Sequence, residues 1–283
     1  MKCAIVKFKD QTADATTHWW VKRKVNLSGV EIPYAHQNIT LCVMPYTMQE
    51  MTALAPKKQR KIWDKAVIAL LAQGVRCVYL PQSLIEYGAA GFLERDFLLP
   101  SGEAVFAAMI PAMLRKSAAT RGIELTAAEA GIWQSRFDAA GHAVFAAIAD
   151  IVRHVTLYTE HAESAQRYAD AVYEQCGLSA NITLGSGDIS RCDAVILIDT
   201  PPNAAINEQC ILIDASGKYR KGGINSIVFT VPFGFSAIGA YVDRFDQRTM
   251  AFMLTACGAN TQDIAQALKD MGCGIGNMRY SKP

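Results

Sequence analysis

The segment Arg136-Phe137-Asp138-Ala139-Ala140-Gly141 lies where an apolar strand would pass into a helix. Its length is that of the G-x-G-x-x-G loop that cradles a dinucleotide diphosphate. In such a loop the first glycine permits a tight turn and the second lets the backbone approach the diphosphate. The third allows close helix–strand packing. Only the third has a counterpart here, Gly141; Arg136 and Asp138 take the first two places. A carboxylate at Asp138 would meet the diphosphate at the helix N-terminus, where like charges repel. As an N-cap, the same carboxylate satisfies the amides a phosphate would use. Two readings follow: a cleft for another ligand, or a self-capped structural helix.

Other residues around this segment could do chemistry. His142 follows Gly141 at the mouth of the expected cleft and is a candidate general base or ligand contact. The plainer reading is a first-turn side chain, since it has no geometric partner in the sequence. Glu160 stands 19 residues after Gly141, where a ribose-binding acid would sit, and would favour NAD over NADP. It equally suits the exposed start of a helix. Asp199 and Asp214 end two apolar runs, and carboxyl ends of parallel strands are where open sheets bind ligands. With Thr200, Asn203 and Ser216 they could line one pocket, although acids at strand ends also simply start loops.

The elements that must hold these residues alternate regularly. Strands are expected at Ala130–Ser135, Val155–Thr159, Asn181–Leu184, Ala194–Asp199, Cys210–Ile213 and Ser226–Val231. Helices are expected at Ala140–Val152 and from Glu163 to Cys176, closed by Gly177. This rhythm implies a mainly parallel sheet covered on both faces. A competing long helix from the Thr126–Glu129 capping box is opposed by Gly131, Asp138 and the Gly141-His142 pair. Before residue 122 a smaller α/β domain is expected, with strands Cys3–Phe8, Trp19–Val25, Ile39–Met44 and Val75–Leu80 and a helix Lys57–Gln73. A helix Ala104–Ala119, kinked by Pro111, bridges the domains. Two closing helices are capped by Asp246 and Asn260, and Gly272–Gly276 reads as a helix stop and flexible tail. The fold class is therefore α/β in two domains, 1–121 and 122–283.

The stretch Val155–Pro202 resembles the second half of the nucleotide-binding domain in the shikimate dehydrogenase and glutamyl-tRNA reductase group. The resemblance rests on Asp193-Ala-Val-Ile and Thr200-Pro201 and covers roughly Ala130–Ile213. It implies a Rossmann-like fold with an NAD(P) site, and it is more specific for the fold than for any activity. Glu160 stands where NADP-using members carry a basic residue. The group's catalytic Lys and Asp have no recognisable motif here, and the first domain has no Asn-Val-Thr-x-Pro-x-Lys segment. Shikimate dehydrogenase activity itself is therefore not expected.

Composition narrows the remaining classes. With 51% hydrophobic and 19% charged residues, a packed core is expected rather than disorder. A net charge of +2 gives no broad pull toward nucleic acid or anionic lipid. The local clusters Lys22–Lys24 and Lys57–Lys61 read as a solvated strand end and a solvated helix face. Eight cysteines without a C-x-x-C pair read as reduced, buried thiols of a cytosolic protein, and no zinc spacing is present. The five histidines, His18, His36, His142, His154 and His161, form no i, i+4 metal pair. Gly222–Val242 carries no charge, yet its glycines, Pro232 and β-formers read as a strand, a turn and a short element. That segment is also a candidate subunit interface in a homo-oligomer.

Three functional readings remain. The first is a ligand-binding, scaffold or assembly protein with a degenerate dinucleotide loop and no dinucleotide. The second is an NAD-dependent oxidoreductase acting on a small molecule. The third is a transferase or lyase holding a phosphorylated molecule through Arg136.

Overall fold

The computed structural model describes residues 1–9, 24–32, 37–201, 205–219, 222–259 and 262–281, with the backbone alone at Ile32 and Gln37. His18, His36, Asn203, Asn260, Lys22, Arg23 and most of the expected strand Trp19–Val25 lie outside them. Two compact units emerge. One comprises Met1–Gly102 with Thr230–Gly274, the other Glu103–Phe229 with Ile275–Pro283. The linear division at residue 121 is therefore not the division of the units: the chain crosses between them more than once.

In the first unit, β1 (Lys2–Lys7), β2 (Asn26–Ile32), β3 (Gln37–Val43) and β4 (Val75–Tyr79) form a sheet in the order β2-β3-β1-β4. β1 is parallel to β3 and β4, while β2 runs antiparallel to β3. The Pro56–Ala72 helix starts with Pro at its first turn and buries Trp63, Ala66 and Leu70. Gly74 stops it with φ 76°. Trp63 stacks on Phe92 at 5.5 Å, within a core that includes Val6, Met44 and Leu80. Lys57, Lys58, Arg60 and Lys61 are exposed on the same helix, as their charge requires. Asp246 caps the Gln247–Ala256 helix through the amides of Arg248 and Thr249. The last helix is Ile264–Asp270, capped by Asp263.

In the second unit the strands are β5 (Glu129–Trp133), β6 (His154–Thr159), β7 (Ala180–Leu184), β8 (Ala194–Leu197), β9 (Ile211–Asp214), β10 (Ile224–Thr230) and β11 (Gly274–Tyr280). Their order is β11-β10-β9-β8-β5-β6-β7. Counted from β5, the strands β5 to β10 stand in the order 3-2-1-4-5-6, each parallel to its neighbours among them. This is the strand order of a Rossmann fold. β11 runs the other way: Gly274 meets Thr230, and Ser281 meets Gly223.

Chain direction fixes which side each connection takes. Parallel crossovers are right-handed, so the helices after β5 and β6, Ala139–Ile148 and Ala162–Cys176, share one face. The return from β7 to β8 passes over the other face. There Trp133, Tyr158, Val195 and Leu197 form a second core, covered by Ile189, Cys192, Cys210 and Tyr219 from the connections. Each large apolar side chain buried in this way contributes about 1.5–3 kcal/mol.

Two expected elements differ. The helix expected over Ala104–Ala119 is two helices, Glu103–Ala108 and Ile110–Arg121, because Pro111 can sit in a first turn but not inside a helix. The tail expected after Gly272 is β11. Its backbone finds partners that the sequence does not display: Lys116 Nζ donates to the carbonyls of Ile275 (2.9 Å) and Gly276 (2.7 Å). The thiols are not all buried as expected: Cys176 is exposed, and Cys257 and Cys273 are half-buried. All eight cysteines are unbridged, and burial pushes Cys42 up to about 12 and Cys210 to about 11. Among the described residues no helix is long and apolar enough to cross a membrane. No group of three or more metal-ligating side chains occurs among them either.

Candidate functional site

β5 and β8 are neighbours whose following connections leave in opposite directions, so their carboxyl ends flank the crevice where open α/β sheets take ligands. The turn after β5 is held from both sides. From β6, Glu160 N–H and Thr159 Oγ1–H both donate to Ser135 O, each at 2.9 Å. From β8, the Asp199 carboxylate accepts Ser135 N–H (2.9 and 3.1 Å) and the Ser135 hydroxyl. Asp199 is thus a clamp across the crevice, joining the end of β8 to the turn that follows β5.

The helix N-terminus beyond this turn is filled by the turn itself. Asp138 has extended backbone angles, and its Oδ1 accepts Ala140 N–H (2.8 Å) and Gly141 N–H (3.3 Å). Gln134 Nε2 donates to the same oxygen at 3.0 Å, and Gln134 Oε1 accepts from Asp138 N–H at 3.4 Å. The Gln134 amide holds the Asp138 carboxyl below the usual carboxylate range; burial opposes it, and the Ala140 and Gly141 amides add to the lowering. Phe137 is 3% exposed and folds over the same place. A Cβ added at Gly141 would overlap Gln134 Oε1 and come within 2.8 Å of the Phe137 ring. Glycine at 141 therefore makes room for the turn's own side chains. The Ala140 and Gly141 amides at the helix end are taken by the Asp138 carboxylate.

A pocket of about 690 Å³ opens beside this turn. One wall is the outward face of the Ala139–Ile148 helix, at Ala140, Ala143 and Ala147, with the Glu103–Ala108 helix beside it. The other wall is made by the strand ends Ile198–Thr200 and by Ala215, Ser216 and Lys218 after β9. Lys218 is exposed, and its ammonium has no hydrogen-bond or ion-pair partner among the described residues.

The expected site residues separate into three places. Asp199 and Thr200 line the pocket, and so does Ser216. Asp138 and Gly141 form the filled turn, on which Arg136 is exposed. His142 is turned away: its ring stacks on Tyr168 at 5.3 Å, and its Nε2 is buried without a hydrogen-bond partner. Glu160 is exposed at the end of β6, as a ribose-binding acid would be. Asp214 is 1% exposed and wholly structural, accepting from Ser216 Oγ, Gly217 N–H and Tyr219 N–H. Sequence reasoning did not single out Ser135, Gln134, Phe137 or Lys218. The Ala140, Ala143 and Ala147 spacing was the one legible signal of an open helix face.

No family model matches the chain, and no curated protein matches it. Solved structures are similar to it at low identity. A Δ1-pyrroline-2-carboxylate reductase from Thermococcus litoralis, solved with NADH and L-proline, matches at 14% identity over 33% of this chain, with a TM-score of 0.25. This chain spans 29% of that protein's length. A quinate dehydrogenase from Corynebacterium glutamicum, solved with NAD, matches at 11% identity over 95% of this chain and 99% of its own, with a TM-score of 0.35. A shikimate dehydrogenase solved with NADP+ matches at 13% identity over 95% of both chains, with a TM-score of 0.38. Shikimate dehydrogenase, one of the two enzymes named by the sequence resemblance, is among the structures to which this chain is similar.

Proposed function

We propose that this chain is a small-molecule-binding protein on a Rossmann frame that takes its ligand in the 690 Å³ pocket and does not bind a dinucleotide. The observation that carries the reading is the Asp138 carboxylate on the amides of Ala140 and Gly141. A diphosphate at this helix end would have to displace that carboxylate from the two amides. Asp199 is spent on Ser135 and serves as a positioning residue for the pocket wall.

A second reading, an NAD-dependent oxidoreductase, is favoured by one observation: Glu160 stands exposed at the end of β6. Thermal unfolding with millimolar NAD, NADH, NADP and NADPH separates the two. Ligand at about 100 times its Kd adds about 2.7 kcal/mol to stability, a visible shift of the midpoint. The first reading expects no shift with any of the four. A shift with NAD or NADH that Glu160→Ala removes would replace it with the second.

A further inference from the structure

The seven-stranded sheet has two edges, and they differ in chemistry. At β11, Lys116 Nζ sits on the carbonyls of Ile275 and Gly276, and Arg279 adds a charge within the strand. At the edges of the four-stranded sheet, β2 packs against the Ser236–Gly239 helix and carries Glu31. On β4, the backbone of Leu98 hydrogen-bonds to Arg76 and Val78. The remaining edge, β7, reads Ala180-Asn181-Ile182-Thr183-Leu184, with no charge, no proline and no bulge. Folded proteins normally blunt an open edge in one of those ways.

The ladder to β6 shows which backbone groups β7 leaves over. In a parallel pair, both backbone groups of one residue point to the same side, and successive residues alternate. Gly185 N–H donates to Thr159 O at 2.8 Å, next to the pairing of Leu184 with Thr159. Thr183 and Asn181, two and four residues before Gly185, therefore turn their backbone groups to β6. Those of Ala180, Ile182 and Leu184 point outward from the edge, and no partner meets them among the described residues.

This outward set is self-complementary about Ile182. Under a two-fold axis a second β7 runs antiparallel, with Ile182 opposite its own copy, Ala180 opposite Leu184 and Asn181 opposite Thr183. All three outward residues then fall in hydrogen-bonded pairs, each exchanging two backbone hydrogen bonds. Leu184, 66% exposed, gains the small Ala180 as its cross-strand neighbour, and Asn181 and Thr183 meet on the other face. Tyr173, 59% exposed on the Ala162–Cys176 helix beside β7, extends the apolar surface. A two-fold contact of this kind closes on itself. β10, the strand within the uncharged Gly222–Val242 segment, is paired on both sides and has no edge to offer.

From this edge we infer that β7 pairs with β7 of a second copy of this chain, antiparallel and centred on Ile182. The two seven-stranded sheets then run on as one.

The test measures mass by analytical ultracentrifugation of the full chain, from micromolar to submillimolar concentration. Backbone amide exchange is followed residue by residue by 1H–15N spectroscopy. Leu184→Lys places a charge on the edge, and Leu98→Lys, at a leucine 53% exposed in the other unit, is the control. Both substitutions fall on exposed side chains, and folding is checked by melting temperature. Wild type and Leu98→Lys should be dimers, and Leu184→Lys should raise the dimer dissociation constant at least tenfold. In the wild-type dimer, the amides of Ala180, Ile182 and Leu184 should exchange at least tenfold more slowly than in the Leu184→Lys monomer. Those of Asn181 and Thr183, already bonded to β6, should change less. A wild-type monomer throughout the range overturns the inference, whether the edge stays open or takes a strand from another protein. A dimer that Leu184→Lys leaves intact, or one without protection at Ala180, Ile182 and Leu184, places the contact elsewhere and also overturns it.

Discussion

The turn after β5 and the strand ends after β8 and β9 stand side by side at the same edge of one sheet, yet they have opposite character. The turn is closed by its own side chains: Asp138 on the helix amides, Gln134 on Asp138, and Phe137 over Gly141. The strand ends are open, with Thr200, Ser216 and Lys218 facing a cavity. One frame thus carries a self-capped turn and an open crevice side by side. The first depends on the residue types of one turn. The second depends only on strand order and on where connections reverse direction.

The comparison can be broken at the closed end. Gly141→Ala places a methyl against Gln134 and Phe137, both buried. Overpacking of this kind costs about 1–3 kcal/mol. A melting temperature several degrees lower is expected, and an unchanged one would mean that the turn yields freely and is not closed. Asp138→Ala acts on the same contact more gently, since loss of an N-cap costs about 1 kcal/mol. Its pH dependence sharpens the point. The folded carboxyl titrates below its unfolded value, so its stabilisation is present above the unfolded value, about pH 4, and is lost as pH falls through the folded one. Wild type and Asp138→Ala should therefore converge in stability as pH is lowered toward 2. A constant difference in urea melts down to that pH would count against the cap.

The strand rhythm from β5 to β10 was legible because those strands are short, mostly apolar runs bounded by turn residues. Asp138 was legible as an N-cap because capping depends on residue type and immediate neighbours alone. The crevice residues were less legible. His142 follows Gly141 closely in sequence, but one helical position rotates it by about 100°, away from the pocket and onto Tyr168. Asp214 resembles Asp199 as a strand-end acid, and only the turn that follows shows it to be consumed locally. Gln134 and Phe137 matter through contacts that close across the turn. β11 was missed because its stability comes from β10 and from Lys116, both far away in sequence.

The account turns on whether the amides of Ala140 and Gly141 are already taken. Their backbone 1H–15N resonances, followed in the full chain, report this directly. The filled turn predicts that both shift only at acid pH, as Asp138 protonates, and that neither responds to millimolar NADH or inorganic pyrophosphate at neutral pH. Saturable shifts of these two amides on adding either ligand would contradict it and restore the turn as a phosphate site.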